Sequence, residues 1–375
     1  MTTSAVPATH PALRPARIGG LEIANRLAVA PMTRVSATPG GIPTEEMADY
    51  YAAFARGGFA LLITEGTYTD TAYSQGYLNQ PGLASDAHVA GWREVVGRVH
   101  ATGAPIVAQL MHAGAISQGN AYREDTAGPS AVQPLGEKMS DYGGQGPWPV
   151  PVEMGAADIE QAVRGFAGAA ARAREAGFDG VEVHGANGYL PDQFLTDYTN
   201  RRSDSYGGPV ENRVRFAAEV VAAIRAEVGA GFPVGIRLSQ GKVNDYVYRW
   251  PGGAKDAETI FRAVAGAGAT YLHIASEGRD WIETARLDDG TTITGLARRV
   301  TGLPVIANGG MHDLDQAAQV LADGHADVLS IARGALANPD LPRRLAGGTP
   351  LEAFDHGMLE PLATLSNARR WAGRG

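Results

Sequence analysis

A polar cluster that directly follows an apolar run is the most chemically suggestive stretch of the sequence. His184, Asn187 and Tyr189 come immediately after residues 180–183, which include two valines. An apolar run that stops at polar residues is typical of a buried parallel strand that ends at a site. Imidazole and amide groups can hydrogen-bond an acceptor oxygen, and a tyrosine hydroxyl can deliver a proton. The cluster therefore predicts an enzyme that polarises an acceptor and protonates it.

Eight short apolar runs recur along the chain, and each ends in a polar or glycine-rich turn. Segments with helical spacing lie between most of them, and residues 159–176 and 210–228 carry apolar side chains at intervals of three and four. Strands that alternate with helices imply parallel strands joined by crossover helices. We therefore predict an α/β protein with a single (β/α)8 TIM barrel rather than an open, doubly wound sheet. Its strands are predicted at residues 26–32, 60–66, 105–111, 180–186, 233–239, 270–276, 304–310 and 326–333.

Two further segments are predicted around this barrel. Residues 16–23 indicate a hairpin with a two-residue turn, which would plug the amino-terminal mouth of the barrel. Residues 114–153, after the third strand, are rich in Gly, Pro and Ser. Such a long loop is typical of a lid or rim over a site, with a passive surface loop as the alternative. We assign residues 1–375 to one domain, with a core at about residues 16–350 and a carboxyl-terminal extension at 351–375.

Composition and charge narrow the class of protein. The 375 residues are 44% hydrophobic and 19% charged, with a net charge of −8, so no basic surface is available for nucleic acid. The sequence has no cysteine, which excludes disulfides, thiolate zinc sites and a cysteine nucleophile. It shows no leader pattern and no apolar run long enough to span a membrane. We expect a cytoplasmic monomer or homodimer with neither nucleic acid nor a membrane as a partner.

In this architecture the chemistry lies at the carboxyl ends of the strands. The seventh strand ends in Gly309 and Gly310, and the eighth ends in Arg333. Glycine lets backbone N–H groups approach an anion closely, and arginine can clamp it with a planar fork of donors. Because the loops after strands seven and eight usually hold phosphate in such barrels, we predict a phosphate site there.

The ends of other strands add polar groups. Arg237 ends the fifth strand and faces the barrel axis, where burying an unpaired cation is costly. Either Glu182 or an anionic ligand would satisfy it. Gln109 could be a core amide, or it could join Thr33 and Gly66 in contacting a flat polar ring.

The chain resembles the Old Yellow Enzyme family of FMN-dependent ene-reductases along nearly its whole length. The strongest stretch runs from residue 184 to 195 and continues through 200–208 and 211–213. Residues 30–34, 63–66 and 235–239, together with Gln109, match the family in the same order. Two departures are Val35 and Met111, which stand where branches of the family carry aromatic residues, while Thr33 stands where one branch has cysteine.

The resemblance implies a bound FMN and NAD(P)H as the reductant. His184 and Asn187 would hydrogen-bond the carbonyl or nitro oxygen of the substrate, Tyr189 would protonate the substrate's α-carbon, and Tyr77 would cap the substrate pocket. The implied reaction is reduction of the activated C=C bond of an α,β-unsaturated carbonyl or nitro compound, by ping-pong hydride transfer through flavin N5. The implied contacts to FMN come from Pro31, Met32, Thr33, Gly66, Gln109, Arg237, Gly309, Gly310, Ala332 and Arg333.

Several alternatives stay open from the sequence. A flavoenzyme of the same fold could run as a desaturase or as a dedicated biosynthetic reductase, and a flavin- or ligand-binding barrel need not be an enzyme. A phosphate-binding Schiff-base lyase would need a lysine at a strand end, where only Lys242 lies near. A metal-dependent hydrolase is disfavoured because no His-x-His pair opens the first strand, and we expect no metal. Gly266 and Gly268 follow a helical segment, so they do not form a dinucleotide fingerprint.

Overall fold

Eight parallel strands close into a barrel in the computed structural model of the chain, which describes residues 10–276 and 281–373. Each strand pairs with the next, and the last pairs with the first, so the predicted (β/α)8 TIM barrel is confirmed. The predicted strand boundaries differ from the observed ones by at most three residues at either end. Several strands end earlier than predicted because polar residues at their ends leave the ladder and line a cavity. The strands are β1 Leu27–Val29, β2 Leu61–Ile63, β3 Ile106–Met111, β4 Gly180–Asn187, β5 Val234–Lys242, β6 Tyr271–Ile274, β7 Val305–Asn308 and β8 Val328–Ile331.

The two-residue period of the strands separates a helix-facing layer from the barrel interior. In β4, Val181 and Val183 pack in the large core cluster beneath the helices. Glu182 and His184, at the alternate positions, are buried on the other face of the strand. The same alternation turns Arg237 of β5 inward. The strand period thus brings the polar side chains predicted from the sequence to one end of the interior.

Helices cover the outside of the barrel between the strands. Apolar residues at helical spacing explain why these segments are helical. Several of the helices begin at a residue whose side chain caps the first turn, as Thr44 and Ser85 do. The predicted helix 210–228 is divided at Val214, whose ψ of −14° favours a tighter turn. The covering helices are α1 Glu45–Arg56, α2 Asp86–His100, α3 Ala156–Ala176, α4 Arg215–Val228, α5 Gly253–Gly266, α6 Ile293–Thr301, α7 Leu314–Ala322 and α8 Leu341–Gly347. Shorter helices are Leu190–Leu195, Val210–Arg213, Trp281–Ala285, Arg333–Ala337 and Leu365–Ala372, and 3-10 turns are Pro11–Leu13, Gly114–Ile116, Ser140–Tyr142 and His356–Leu359.

The amino-terminal hairpin closes the barrel at the end opposite the carboxyl ends of the strands. Ala16–Ile18 pairs antiparallel with Leu21–Ile23 across Gly19 and Gly20, whose φ angles of 56° and 102° favour glycine. Ile18 packs in an inner cluster with side chains of six barrel strands, among them Ile63, Val107, Tyr271 and Ile306. The predicted plug is therefore confirmed.

Two irregular segments meet at the carboxyl end of the barrel. The insertion after β3 contains a short parallel pair, Ala127–Gly128 with Val152–Glu153. The carboxyl-terminal segment returns to this end, where Arg34 donates from Nε to the Ala363 carbonyl at 2.9 Å. The Ala363 N–H in turn donates to the Asp141 carbonyl at 2.8 Å. The two segments thus frame the mouth of the barrel together.

Spanning a membrane takes a helix of about 20 predominantly apolar residues. In the described part of the chain, no helix has both the length and the apolar character needed to cross a membrane.

Candidate active site

A cavity of about 420 Å³ opens at the carboxyl ends of the strands, and all eight strand ends contribute to its walls. The barrel thereby collects residues that lie far apart in the sequence. Of the predicted site residues, all but Tyr77 line it: Pro31, Met32, Thr33, Gly66, Gln109, His184, Asn187, Tyr189, Arg237, Gly309, Gly310, Ala332 and Arg333.

A buried polar network lies in the barrel interior beneath this cavity. The Gln109 amide donates to Glu182 Oε1 at 2.8 Å, and Tyr271 donates to Oε2 at 3.2 Å. His273 Nδ1 lies 3.0 Å from the same Oε2. Burial raises the pKa of Glu182, but His273, the Arg237 charge and the Gln109 hydrogen bond outweigh burial and lower it below its ordinary value. Glu182 is therefore an ionised and fully hydrogen-bonded support for the cavity floor.

Arg237 is held at one end but keeps a free donor. Its Nη2 donates to Asn308 Oδ1 at 3.0 Å, whereas its buried Nε finds no partner among the described residues. The Glu182 hydrogen bonds within the described chain go to other side chains, so Glu182 does not satisfy this guanidinium directly. A buried donor without a partner is costly, which favours an anionic or polar ligand over the alternative of a purely structural pairing.

Gly309 directly follows Asn308, the partner of Arg237, and together with Gly310 and Arg333 it makes up the predicted anion cradle. Gly309 and Gly310 have φ angles of 121° and 66°, a region that favours glycine. A Cβ on Gly309 would lie 2.7 Å from the Cβ of Ser276, so this position has no room for a side chain. Arg333 follows β8 and is exposed at the same end of the cavity. The donor types and the open backbone fit a phosphate group.

On another wall, His184 presents a neutral imidazole. Burial, then the charges of Arg237 and His273, lower its pKa well below the ordinary value. Its buried Nδ1 finds no hydrogen-bond partner in residues 10–276 and 281–373. The ring packs edge-on against Tyr189, with centroids 4.6 Å apart. One ring nitrogen of a neutral imidazole donates and the other accepts, so His184 can donate to a substrate oxygen without carrying charge.

Tyr77 lies behind Tyr189 rather than on the cavity wall. Its hydroxyl contacts the Tyr189 hydroxyl, and its ring packs against Tyr142 with centroids 4.8 Å apart. Burial, then Tyr189 and Tyr142, raise the pKa of Tyr77 well above its ordinary value, so its hydroxyl stays protonated. The resemblance implied that Tyr77 caps the substrate pocket, but the structure places it one side chain further from the cavity.

A known protein family matches most of the chain. The model of the NADH:flavin oxidoreductase / NADH oxidase family matches residues 12–352. The chain belongs to the Old Yellow Enzyme family. A putative 12-oxophytodienoate reductase 4 of Oryza sativa subsp. japonica is 38% identical and aligns over 94% of this chain and 90% of its own.

Solved structures of the Old Yellow Enzyme family have the same fold. An old yellow enzyme homologue from Zymomonas mobilis superposes with a TM-score of 0.82 at 33% identity, covering 91% of this chain and 94% of that one. Morphinone reductase in complex with tetrahydroNAD gives 0.80 at 33% identity, covering 92% of each chain. Members of this family bind FMN and use NAD(P)H, and this member is accordingly an oxidoreductase.

Sequence reasoning missed several residues of the cavity wall. Met139, Asp141 and Tyr142 come from the insertion after β3, which was predicted as a lid or rim without named contacts. Phe354 and His356 come from the carboxyl-terminal segment, which was predicted only as an extension. Alternating periodicity carries no signal for such residues, because they lie outside the barrel strands. The aromatic side chains in both segments were the only available hint.

Lys242, the lysine that a Schiff-base mechanism would need, does not line the cavity. Its Nζ lies 2.9 Å from both carboxylate oxygens of Asp192, and its side chain is 2% exposed. An ammonium group held in a buried ion pair is no free nucleophile. The structure therefore offers no support for the lyase alternative.

Proposed function

We propose that the protein is an FMN-dependent ene-reductase that uses NAD(P)H to reduce the activated C=C bond of α,β-unsaturated carbonyl or nitro compounds. The observation that carries this proposal is the set of side chains that line one cavity. A neutral His184 lies with Asn187 and Tyr189 at the end of β4, and the free donor of Arg237 lies on the neighbouring strand β5. Membership of the Old Yellow Enzyme family supports the same general reaction.

The residues present fit FMN at the remaining walls. We propose that Pro31, Met32, Thr33, Gly66 and Gln109 contact the isoalloxazine ring and that Arg237 donates to its electron-rich edge. Gly66 has no room for a side chain, because a Cβ there would collide with Met111 Sδ, so only its backbone can contact the ring. The phosphate would be held by Gly309, Gly310, Ala332 and Arg333. When bound, FMN supplies the hydride chemistry, for which the protein has no group of its own.

His184 and Asn187 are proposed to hold the acceptor oxygen of the substrate. Hydride addition to the β-carbon places negative charge on that oxygen, and preset donors stabilise the charge as it develops. Loss of one such donor typically costs about 10²–10³ in rate. Because the pKa of His184 is depressed, the imidazole remains a neutral donor and adds no second positive charge beside Arg237.

Tyr189 is proposed to supply the proton for the α-carbon. Its ring is buried against His184, so its hydroxyl is kept beside the acceptor-binding pair. As the proton leaves, negative charge grows on the Tyr189 oxygen. Tyr77, whose hydroxyl touches that oxygen and stays protonated, can donate a hydrogen bond to it.

The proposal is tested by separating the two half-reactions in the Tyr189→Phe variant. FMN reduction by NAD(P)H should proceed at nearly the wild-type rate, whereas subsequent alkene reduction should slow by about 10²–10⁴, the usual contribution of a general acid. Tyr142→Phe is the matched control, because Tyr142 also lines the cavity but is assigned no proton transfer. Equal losses in both half-reactions, or the same loss in the control, would contradict the role of Tyr189.

A further inference from the structure

A buried ion pair lies directly behind the turn that carries Asn187 and Tyr189. Lys242 Nζ is 2.9 Å from each carboxylate oxygen of Asp192, and the two side chains are 2% and 0% exposed. Neither residue lines the cavity, and the proposed reaction uses neither. Burying two charges carries a large desolvation cost, and apolar residues of similar volume often stabilise a fold as well or better. The pair is therefore poorly explained as a device for stability alone.

The turn in front of this pair has an uncommon backbone. Asn187 and Gly188 have φ angles of 65° and 90°, a left-handed conformation that asparagine and glycine adopt more readily than other residues but that still calls for support from the surroundings. The turn fixes where Asn187 and Tyr189 point, because it separates the end of β4 from the helix Leu190–Leu195. A small rotation at Gly188 would redirect both side chains.

Contacts from the ion pair and its neighbours hold this turn from behind. The Gly188 N–H donates to Asp192 Oδ2 at 2.7 Å, which is one of the oxygens bound by Lys242. Lys242 is itself the cross-strand partner of Asn187, and the next N–H, that of Val243, donates to the Asn187 carbonyl at 3.2 Å. The end of β5 is thus tied to the turn by the Val243 N–H and by the Lys242 ammonium group.

We propose that Lys242 and Asp192 are positioning residues for alkene reduction: their ion pair clamps Gly188 and so directs Asn187 and Tyr189 into the cavity. This inference rests on the proposed function, because it assumes that those two side chains act on the substrate. The Asp192 carboxylate accepts from both Gly188 and Lys242, so the ammonium group restrains the orientation in which it binds the turn. Without the cation, Asp192 loses that restraint and the turn loosens.

The test compares Lys242→Met, Asp192→Asn and the double variant Asp192→Asn/Lys242→Met, each loaded with FMN. The double variant buries no unpaired charge, so it should fold even if a single variant does not. In every variant that folds, alkene reduction should slow by about tenfold to hundredfold, more than FMN reduction slows, because misplacement by an ångström can cost that much. The double variant should lose no more rate than one of the single variants does, since both residues act as one unit.

Two comparisons separate positioning from a structural role. In a Tyr189→Phe background the double variant should cause a smaller further loss, because only the placement of Asn187 is then left to disturb. Arg213→Met/Asp256→Asn is the matched control, since it removes another buried ion pair, 3.5 Å long, outside the cavity wall. It should lower stability and leave alkene reduction at the wild-type rate. Lys242→Arg, which keeps the cation, should recover part of the lost rate.

The outcomes distinguish this inference from the proposed function. If wild-type protein loaded with FMN reduces no enone or nitroalkene, the proposed function fails. If wild-type protein is active and the double variant is equally fast, only the clamp fails. Equal slowing of both half-reactions, or the same slowing in the Tyr189→Phe background, likewise overturns the clamp.

Discussion

Tyr77→Phe tests the mechanism without touching the cavity wall. The substitution removes one oxygen and keeps the ring that packs against Tyr142. The lost group is the hydroxyl that contacts the Tyr189 hydroxyl in a fully buried setting. Before proton transfer this is a bond between neutral groups, worth about 1 kcal/mol, and afterwards it is a bond to a developing phenolate, worth about 1.5–3 kcal/mol. The variant should therefore weaken the transition state for protonation more than the resting enzyme.

The expected magnitude follows from the difference between these two bonds. A difference of about 0.5–2 kcal/mol corresponds to a fall of about twofold to 30-fold in the rate of alkene reduction. Stopped-flow absorbance measures that step directly, after the enzyme has been reduced with one equivalent of NAD(P)H. FMN reduction itself should change by less than about twofold, because no proton from Tyr189 is needed there.

A double-mutant cycle supplies the control. In the Tyr189→Phe background, Tyr77→Phe should have almost no further effect on alkene reduction, since its hydroxyl has no phenolate to stabilise. If the two losses multiply instead, Tyr77 acts independently of Tyr189. An equal fall in both half-reactions would show a general disturbance of the cavity, and either result would refute the reasoning.

Three further predictions concern separate parts of the molecule. Burial raises the pKa of Glu65 from 4.5 to about 7, so the folded state holds this proton more tightly than the unfolded chain, and stability should fall as pH rises between those values. Relative to Glu65→Gln, the free energy of unfolding of the wild type should decrease by up to about 3 kcal/mol across that window, measured by denaturant titration; parallel pH profiles would contradict it. Gly309→Ala should weaken FMN binding, seen by fluorescence titration, because its Cβ would lie 2.7 Å from that of Ser276. Gly103→Ala, at a positive φ with open space around it, should leave FMN binding unchanged, and equal affinities in the two variants would argue against the cradle. His184 should show no protonation between about pH 6 and 8 by NMR, since its pKa is depressed; a titration near its ordinary pKa of about 6.5 would exclude the neutral anchor.

The barrel and the floor of the site were predictable because strand periodicity is encoded residue by residue. Val181 and Val183 face the helices, so Glu182 and His184 must face inward, and the end of the apolar run marks the carboxyl end of the strand. Arg237 follows the same rule on β5. A one-residue error in register would have turned each of these polar groups toward the helix layer.

Residues outside the strands could not be placed in this way. His356 and Phe354 reach the cavity because the carboxyl-terminal segment crosses the barrel mouth, where Arg34 holds it through the Ala363 carbonyl. That contact joins positions more than three hundred residues apart, and no local pattern encodes it. Tyr77 was assigned by resemblance to the substrate pocket, yet its side chain lies behind Tyr189.

The ion pair of Lys242 and Asp192 illustrates a second limit. Each residue is charged and would be expected at the surface when considered alone. Their burial depends on the extension of β5 beyond its predicted end at residue 239 to Lys242. Only the folded arrangement shows that the lysine belongs to the support of a turn rather than to the cavity.

The proposed reaction depends most directly on FMN bound in the cavity. The decisive measurement is the visible absorption spectrum of the purified protein, with the stoichiometry of FMN per chain after incubation with excess FMN and gel filtration. We predict a yellow protein with about one FMN per chain, and Arg237→Met should bind FMN more weakly because the buried Nε donor is lost. Protein that is colourless, and that retains no FMN after this incubation, would contradict the account.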